Sequence, residues 1–143
     1  MSSIYYARSI RGAHTKSDKL INELVRLTIH KYGFIPSLEC VPLLDNRKRT
    51  QDEFIHDRDI DWIDRSIAMI ADVTNPSLGV GYELAYAEYV RGSGHSIGYR
   101  IFCIAQTGTK VSAMISGSFT IFWYKDPDEM VDIVTEFLQG LKS

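Results

Sequence analysis

Cysteine is scarce in this chain: Cys40 and Cys103 are the only two among 143 residues. Each falls in an apolar, strand-like segment, so two reduced core thiols are expected and a disulfide framework is not. His14, His30, His56 and His95 show no metal-ligand spacing with cysteine or with one another, and neither a metal nor a cofactor is expected. No apolar run reaches the roughly 18 residues that a membrane span needs. The opening MSSIYYARSIRG lacks the basic-then-apolar order of a secretory leader, so a cytoplasmic location is the expectation. Charge of one sign is also lacking. A net charge of −2 exerts no long-range pull on a nucleic acid polymer or an anionic membrane, and neither is an expected partner. Any anionic ligand must be held by local Arg, Ser and backbone N–H groups. Repeats, low-complexity tracts and linkers are missing too, so residues 1–143 read as a single domain.

What is present is an ordinary globular balance, 45% hydrophobic and 24% charged, which argues for a folded core. Short apolar runs alternate with helical patterns. Strands are expected over 4–7, 37–44, 67–73, 100–105 and 119–124. Helices are expected over 16–32, 51–66, 80–91 and 128–141, with a small one over 111–115. Short βα connections of this kind predict a doubly wound α/β fold, a parallel five-stranded sheet flanked by helices with right-handed crossovers. Ligands of such sheets bind outside the carboxyl ends of strands, near the switch point. That rule selects residues 8–12 after the first strand and 74–81 after the third.

The stretch 67–86, IAMIADVTNPSLGVGYELAY, holds a buried strand, a break at Asn75-Pro76, a small-residue loop and an acid. Loop N–H groups over 77–81 suit a bound anion. Glu83 follows near a helix N-terminus, where the dipole favours the ionised form. Ser9, Arg11 and Gly12 form a turn that reads either as a phosphate or carboxylate site or as a solvated turn. Tyr5, near the exit of the first strand, reads as packing or as a phenol reaching the crevice. In HDRDIDW (56–62), Asp57 and Asp61 share a helix face and read as solvated charge. Asp59 points the other way, between Ile55 and Ile63, where an apolar setting would raise its pKa and suit a proton donor. Two carboxylates in contrasting surroundings are the equipment of retaining glycoside chemistry.

Four segments, IYYARSIRGA (4–13), HDRDIDW (56–62), TNPSLGVGYELAYAE (74–88) and VSAMISG (111–117), together resemble the nucleoside 2-deoxyribosyltransferase family. Within that family the resemblance runs to its 2'-deoxynucleoside 5'-phosphate N-hydrolase branch. It implies a Rossmann- or flavodoxin-like fold and cleavage of the N-glycosidic bond of deoxynucleoside monophosphates. Glu83 would be the nucleophile that forms a covalent deoxyribosyl intermediate, oriented by Tyr5, with Asp59 assisting departure of the base. Ser9, Ile10, Arg11 and Gly12, with Ser77 and Gly79, would cradle the 5'-phosphate. Ser112 would reach the same phosphate from the second subunit of a homodimer.

The transferases of the family tend to carry Asp at the place of Ser77 and Asn at that of Ser112. Serine hydroxyls donate to phosphate without adding negative charge, so this pair favours a nucleotide. Two departures are visible. Arg8 stands where the family's first loop often has Gly, and Leu38-Glu39-Cys40 stands where its hydrolases carry Thr-Glu-His. Base exchange by a deoxyribosyltransferase and a non-catalytic nucleotide-binding module remain the other two readings.

Overall fold

Five parallel strands form one sheet in the order β2-β1-β3-β4-β5. They are β1 (Ser3–Ala7), β2 (Ile35–Pro36), β3 (Ala68–Asp72), β4 (Arg100–Gln106) and β5 (Ile121–Tyr124). The computed structural model describes residues 1–10, 15–93 and 98–142. The chain runs outward from β1 to β2, then returns across β1 to β3, so the order reverses between β1 and β3. A crevice opens at such a reversal, at the carboxyl ends of the strands. Every residue of β3 is buried, as a strand covered on both faces requires.

Alternation along β1 divides its side chains between two cores. Ile4 joins Ile21, Val25 and Ile29 of helix α1 (Lys16–Lys31) and Met130, Val134 and Leu138 of helix α5 (Pro127–Lys142). Tyr5 and Ala7 turn to the other face. There they meet Trp62 and Ile63 of helix α2 (Gln51–Arg65) and Leu84 and Ala87 of helix α3 (Leu78–Gly92). Fully buried aliphatic side chains of this kind cost about 2–5 kcal/mol each when truncated to alanine. Thr15 with Asp18, and Thr50 with Glu53, form capping boxes that start α1 and α2. Gly33, at φ 85°, takes the left-handed conformation that ends α1.

The sequence-based elements fit this order, with one displaced strand. Residues 37–44 do not form the second strand. Pairing is limited to Ser3 with Ile35 and Ile4 with Pro36, after which Ser37–Glu39 tightens into a 3-10 turn. The physical reason is proline: Pro36 and Pro42 offer no N–H to a ladder, so this edge strand stops almost at once. Cys40 therefore follows a turn and is half-buried, while Cys103 sits buried in β4; both are free thiols. Helix α3 also begins earlier than expected, so residues 77–81 are its cap and first turn, not a loop. A short helix α4 (Ala113–Ser116) precedes β5. Among the described residues no helix is long and apolar enough to cross a membrane.

Candidate active site

Three side chains from three elements converge beside the β1–β3 switch point. Tyr5, almost wholly buried, donates its phenol O–H to Oε2 of Glu83. Glu83 lies in the second turn of α3, beyond the first-turn residues where the helix dipole acts. The ionised form expected from that dipole is therefore not what the surroundings favour. Burial lifts the Glu83 carboxyl to about 7, opposed by the Tyr5 hydrogen bond, reinforced by nearby Asp59 and opposed again by Arg58. The Tyr5 phenol is pushed far above its ordinary range, by burial first and then by Glu83, so it stays a donor. A carboxyl poised near neutrality can act either as nucleophile or in proton transfer.

Asp59 comes from α2. Its charge is felt at both Glu83 and Tyr5, which places it in the same cluster. The apolar setting expected for it is corrected by the structure. Its Oδ1 accepts from Arg58 Nε at 2.9 Å and stands 2.9 Å from Arg58 Nη2, so an ion pair replaces the hydrophobic wall. Asp57 and Asp61 stay out of the cluster. Asp57 binds Arg47 and Arg49, and Asp61 binds Arg65 and the Leu43 N–H, which fastens the irregular 40–50 segment to α2.

The anion-binding candidates lie around the strand ends. Ser9 is buried just after β1 and Ile10 is exposed; Arg11 and Gly12 fall outside the described residues. Ser77 is the N-cap of α3, its Oγ accepting from the Val80 N–H at 3.2 Å. A hydroxyl that accepts in this way still has its proton to donate. The N–H groups of Leu78 and Gly79 belong to the first helical turn, which has no intrahelical acceptors, and the dipole there favours an anion. Ser112 caps α4, accepting from Met114 N–H at 3.3 Å. Ser77 and Ser112 line one apolar groove of about 1090 Å³, walled by Val80, Leu84, Tyr89, Met114 and Phe119. Tyr5, Asp59 and Glu83 are not part of that wall. The structure thus brings together Tyr5, Asp59 and Glu83 on one side, and Ser77 with Ser112 on another.

The two departures have defined places. Arg8 lines a smaller cavity on the α1 side with Tyr6, Lys19 and Asn22. Glu39 is held by His30 at 2.9 Å and Arg26 at 3.3 Å, while the Cys40 carbonyl accepts from the Trp62 indole N–H at 3.1 Å. Among the described residues no group of three or more His, Cys, Asp or Glu side chains is arranged to hold a metal.

Sequence reasoning passed over one positioning group. Asp72, buried at the end of β3, accepts from Tyr124 O–H and from the Thr74 N–H, each at 2.9 Å. Burial raises its carboxyl above the usual range, against the pull of those donors. Thr74 in turn accepts from the Gln106 N–H at 2.9 Å. This clamp fixes the turn that leads from β3 to Ser77. Its signal in the sequence was an acid closing an otherwise apolar run.

No family model matches the chain. The 5-hydroxymethyl-dUMP N-hydrolase of Esox lucius is 36% identical over 151 residues, covering 96% of this chain and 97% of that protein. Its counterpart in Tetraodon nigroviridis is 38% identical over 148 residues, with 97% and 99% covered. That of Danio rerio is 34% identical over 149 residues, covering 97% of each. Among solved structures, a CMP N-glycosidase from Clostridium botulinum superposes with a TM-score of 0.60 at 19% identity, over 99% of this chain and 98% of that one. A 2-deoxyribosyltransferase from Leishmania mexicana gives 0.56 at 19% identity, over 94% and 97%. The structural likenesses establish a shared fold. The sequence relationship, running nearly end to end, goes further: the chain belongs to the family of the 5-hydroxymethyl-dUMP and 2'-deoxynucleoside 5'-phosphate N-hydrolases.

Proposed function

We propose that this protein hydrolyses the N-glycosidic bond of 2'-deoxynucleoside 5'-monophosphates, releasing the free base and 2-deoxyribose 5-phosphate. The observation that carries the reading is the buried Tyr5–Glu83 hydrogen bond with Asp59 beside it, at the switch point and on the helix that Ser77 caps. In its ionised form Glu83 attacks the anomeric carbon. A carboxylate O–C1' bond forms as the C1'–N bond breaks, and the departing base takes a proton with help from Asp59. Water then attacks C1', the ester C1'–O bond breaks, and Glu83 leaves as the carboxylate. Tyr5 orients the attacking carboxylate through its hydrogen bond. The 5'-phosphate is taken by Ser9, Ile10, Arg11 and Gly12, with Ser77 and Gly79 at the N-terminus of α3.

A homodimer belongs to the same proposal. Leu78, Tyr82 and Tyr89 form an exposed stripe on α3, with Leu78 96% exposed, and Met114 stands 79% exposed across the groove. A second copy packed on this face would bury the stripe and bring its Ser112 toward the phosphate. Base preference follows the relatives: 5-hydroxymethyl-dUMP is the first substrate to offer. The test is a panel of deoxy- and ribonucleoside monophosphates and free nucleosides, with released base followed by chromatography. Release from deoxynucleoside monophosphates, without incorporation of an added second base, is the expected result. Base exchange without net hydrolysis would favour the transferase reading.

A further inference from the structure

On α2, Arg58 and Trp62 are four residues apart and so share a helix face. The guanidinium carbon of Arg58 stands 4.7 Å from the Trp62 ring centroid, within cation–π range. Trp62 is itself fixed, buried against α3 and donating its indole N–H to the Cys40 carbonyl. From that brace, Nε and Nη2 of Arg58 both stand 2.9 Å from Oδ1 of Asp59. Adjacent residues of a helix do not face each other, so helix geometry alone does not produce this grip. The long stem of Arg58 must fold along the surface of α2, and the ring of Trp62 holds it there. Nε donates to this oxygen, and Nη2 stands at ion-pair distance from the same one. Among the described residues, none is bonded to Oδ2.

We propose that Arg58 is a positioning residue of the site. Braced on Trp62, it holds Asp59 by one oxygen, leaves the other to meet the departing base, and sets a positive charge beside Glu83. This inference rests on Glu83 acting as the nucleophile. The negative charge of Asp59 opposes ionisation of Glu83, and the positive charge of Arg58 offsets it. The groups that act on Glu83 are Tyr5 from β1 through its hydrogen bond, and Asp59 and Arg58 from α2 through their charges. His56 of α2 stands 3.2 Å from the phenol of Tyr82, the residue before Glu83. Of the groups from α2 that act on Glu83, Asp59 pushes its carboxyl up and Arg58 draws it down.

The test compares Arg58→Gln, Arg58→Lys and Arg58→Ala with the wild type. Steady-state base release from 5-hydroxymethyl-dUMP is followed from about pH 5 to about pH 9, with Glu83→Gln run in parallel. Arg58→Gln keeps much of the stem while removing the charge, so it guards against a variant that simply fails to fold; thermal melts and the fluorescence of Trp62 and Trp123 check this. Arg58→Gln is expected to lower kcat by about 10- to 100-fold with KM changed by less than about threefold. The acid limb of kcat/KM should also move to higher pH. Arg58→Lys should return the limb toward its wild-type place but restore kcat only partly, because an ammonium cannot both stack on Trp62 and fork onto Asp59. A folded Arg58→Gln enzyme with unchanged kcat and an unmoved acid limb would overturn the assignment. So would a loss of kcat with the limb unmoved and no rescue by lysine, which is what a merely structural role produces. If Glu83→Gln releases base at the wild-type rate, the nucleophile reading fails whatever Arg58 does. If Glu83→Gln is inactive and the Arg58 variants are normal, only Arg58 is wrongly placed.

Discussion

The phenol of Tyr5 donates a hydrogen bond to the carboxylate of Glu83, joining strand β1 to helix α3 at the carboxyl end of the sheet. The two partners titrate very differently. Tyr5 remains protonated throughout the neutral range, whereas Glu83 is raised to about 7. The bond therefore favours the charged form of Glu83 against its burial, the form that the proposed attack on an anomeric carbon requires.

Tyr5→Phe removes that donor and leaves the ring to fill the same space. A buried acceptor left without its partner costs about 1–3 kcal/mol, so kcat should fall roughly 10- to 100-fold. The acid limb of kcat/KM should move above its wild-type position, because the charged carboxylate has lost its hydrogen bond. A pH–rate profile of the variant measures both effects.

Burial of Glu83 also has a cost in stability, with a definite sign. Its carboxyl is raised from 4.5 in the unfolded chain to about 7 in the folded one. Between those values the folded state binds more protons, so stability falls as pH rises and stays reduced above about pH 7. Glu83→Gln escapes this and should be more stable than the wild type by up to about 3 kcal/mol at pH 8. The gap should close as pH is lowered toward 4.5, as thermal denaturation across that range would show.

Ser77 caps α3, and the proposed function assigns it to the 5'-phosphate. Aspartate caps helices as well as serine, so Ser77→Asp should change stability by less than about 0.5 kcal/mol. It would also set a negative charge against the dianion, worth about 1–4 kcal/mol near a protein surface. KM for deoxynucleoside monophosphates should rise by about tenfold or more, with little loss toward free deoxynucleosides. Parallel melting curves and kinetics with both substrates separate the two effects.

Ser112 and Ser77 share a groove within one subunit, and the proposed dimer would also offer each site the Ser112 of a second copy. Subunits carrying Ser112→Ala mixed with subunits carrying Glu83→Ala distinguish these arrangements. Cross-subunit delivery gives mixed dimers one site with both residues intact and partial recovery of activity. Delivery within a subunit leaves neither site of the mixed dimer with both residues intact, so no recovery appears.

The alternation of strands and helices was legible because each unit keeps an unbroken apolar run or a clear helical spacing. Where proline interrupts, at Pro36 and Pro42, the pattern misled, and the second strand moved to Ile35–Pro36. Tyr5, Asp59 and Glu83 stood out in three separate segments as residue types, and the fold brings them together. Their electrostatics were not. Whether Glu83 lies in the first or second turn of α3 depends on where the helix begins, and Ser77, as its cap, decides that. Asp59 looked apolar in its surroundings because Arg58, next in sequence, would not ordinarily face it; Trp62 changes that by holding the guanidinium in place. The Asp72–Tyr124 bond links residues 52 positions apart, beyond the reach of any local pattern.

The central claim is that Glu83 attacks the sugar. It is tested most directly by incubating wild-type and Glu83→Ala protein with 5-hydroxymethyl-dUMP and measuring released base by chromatography, with circular dichroism to verify the fold. A nucleophilic Glu83 predicts base release by the wild type and a loss of at least about 10³-fold in the folded variant. Base release by folded Glu83→Ala at the wild-type rate would contradict it.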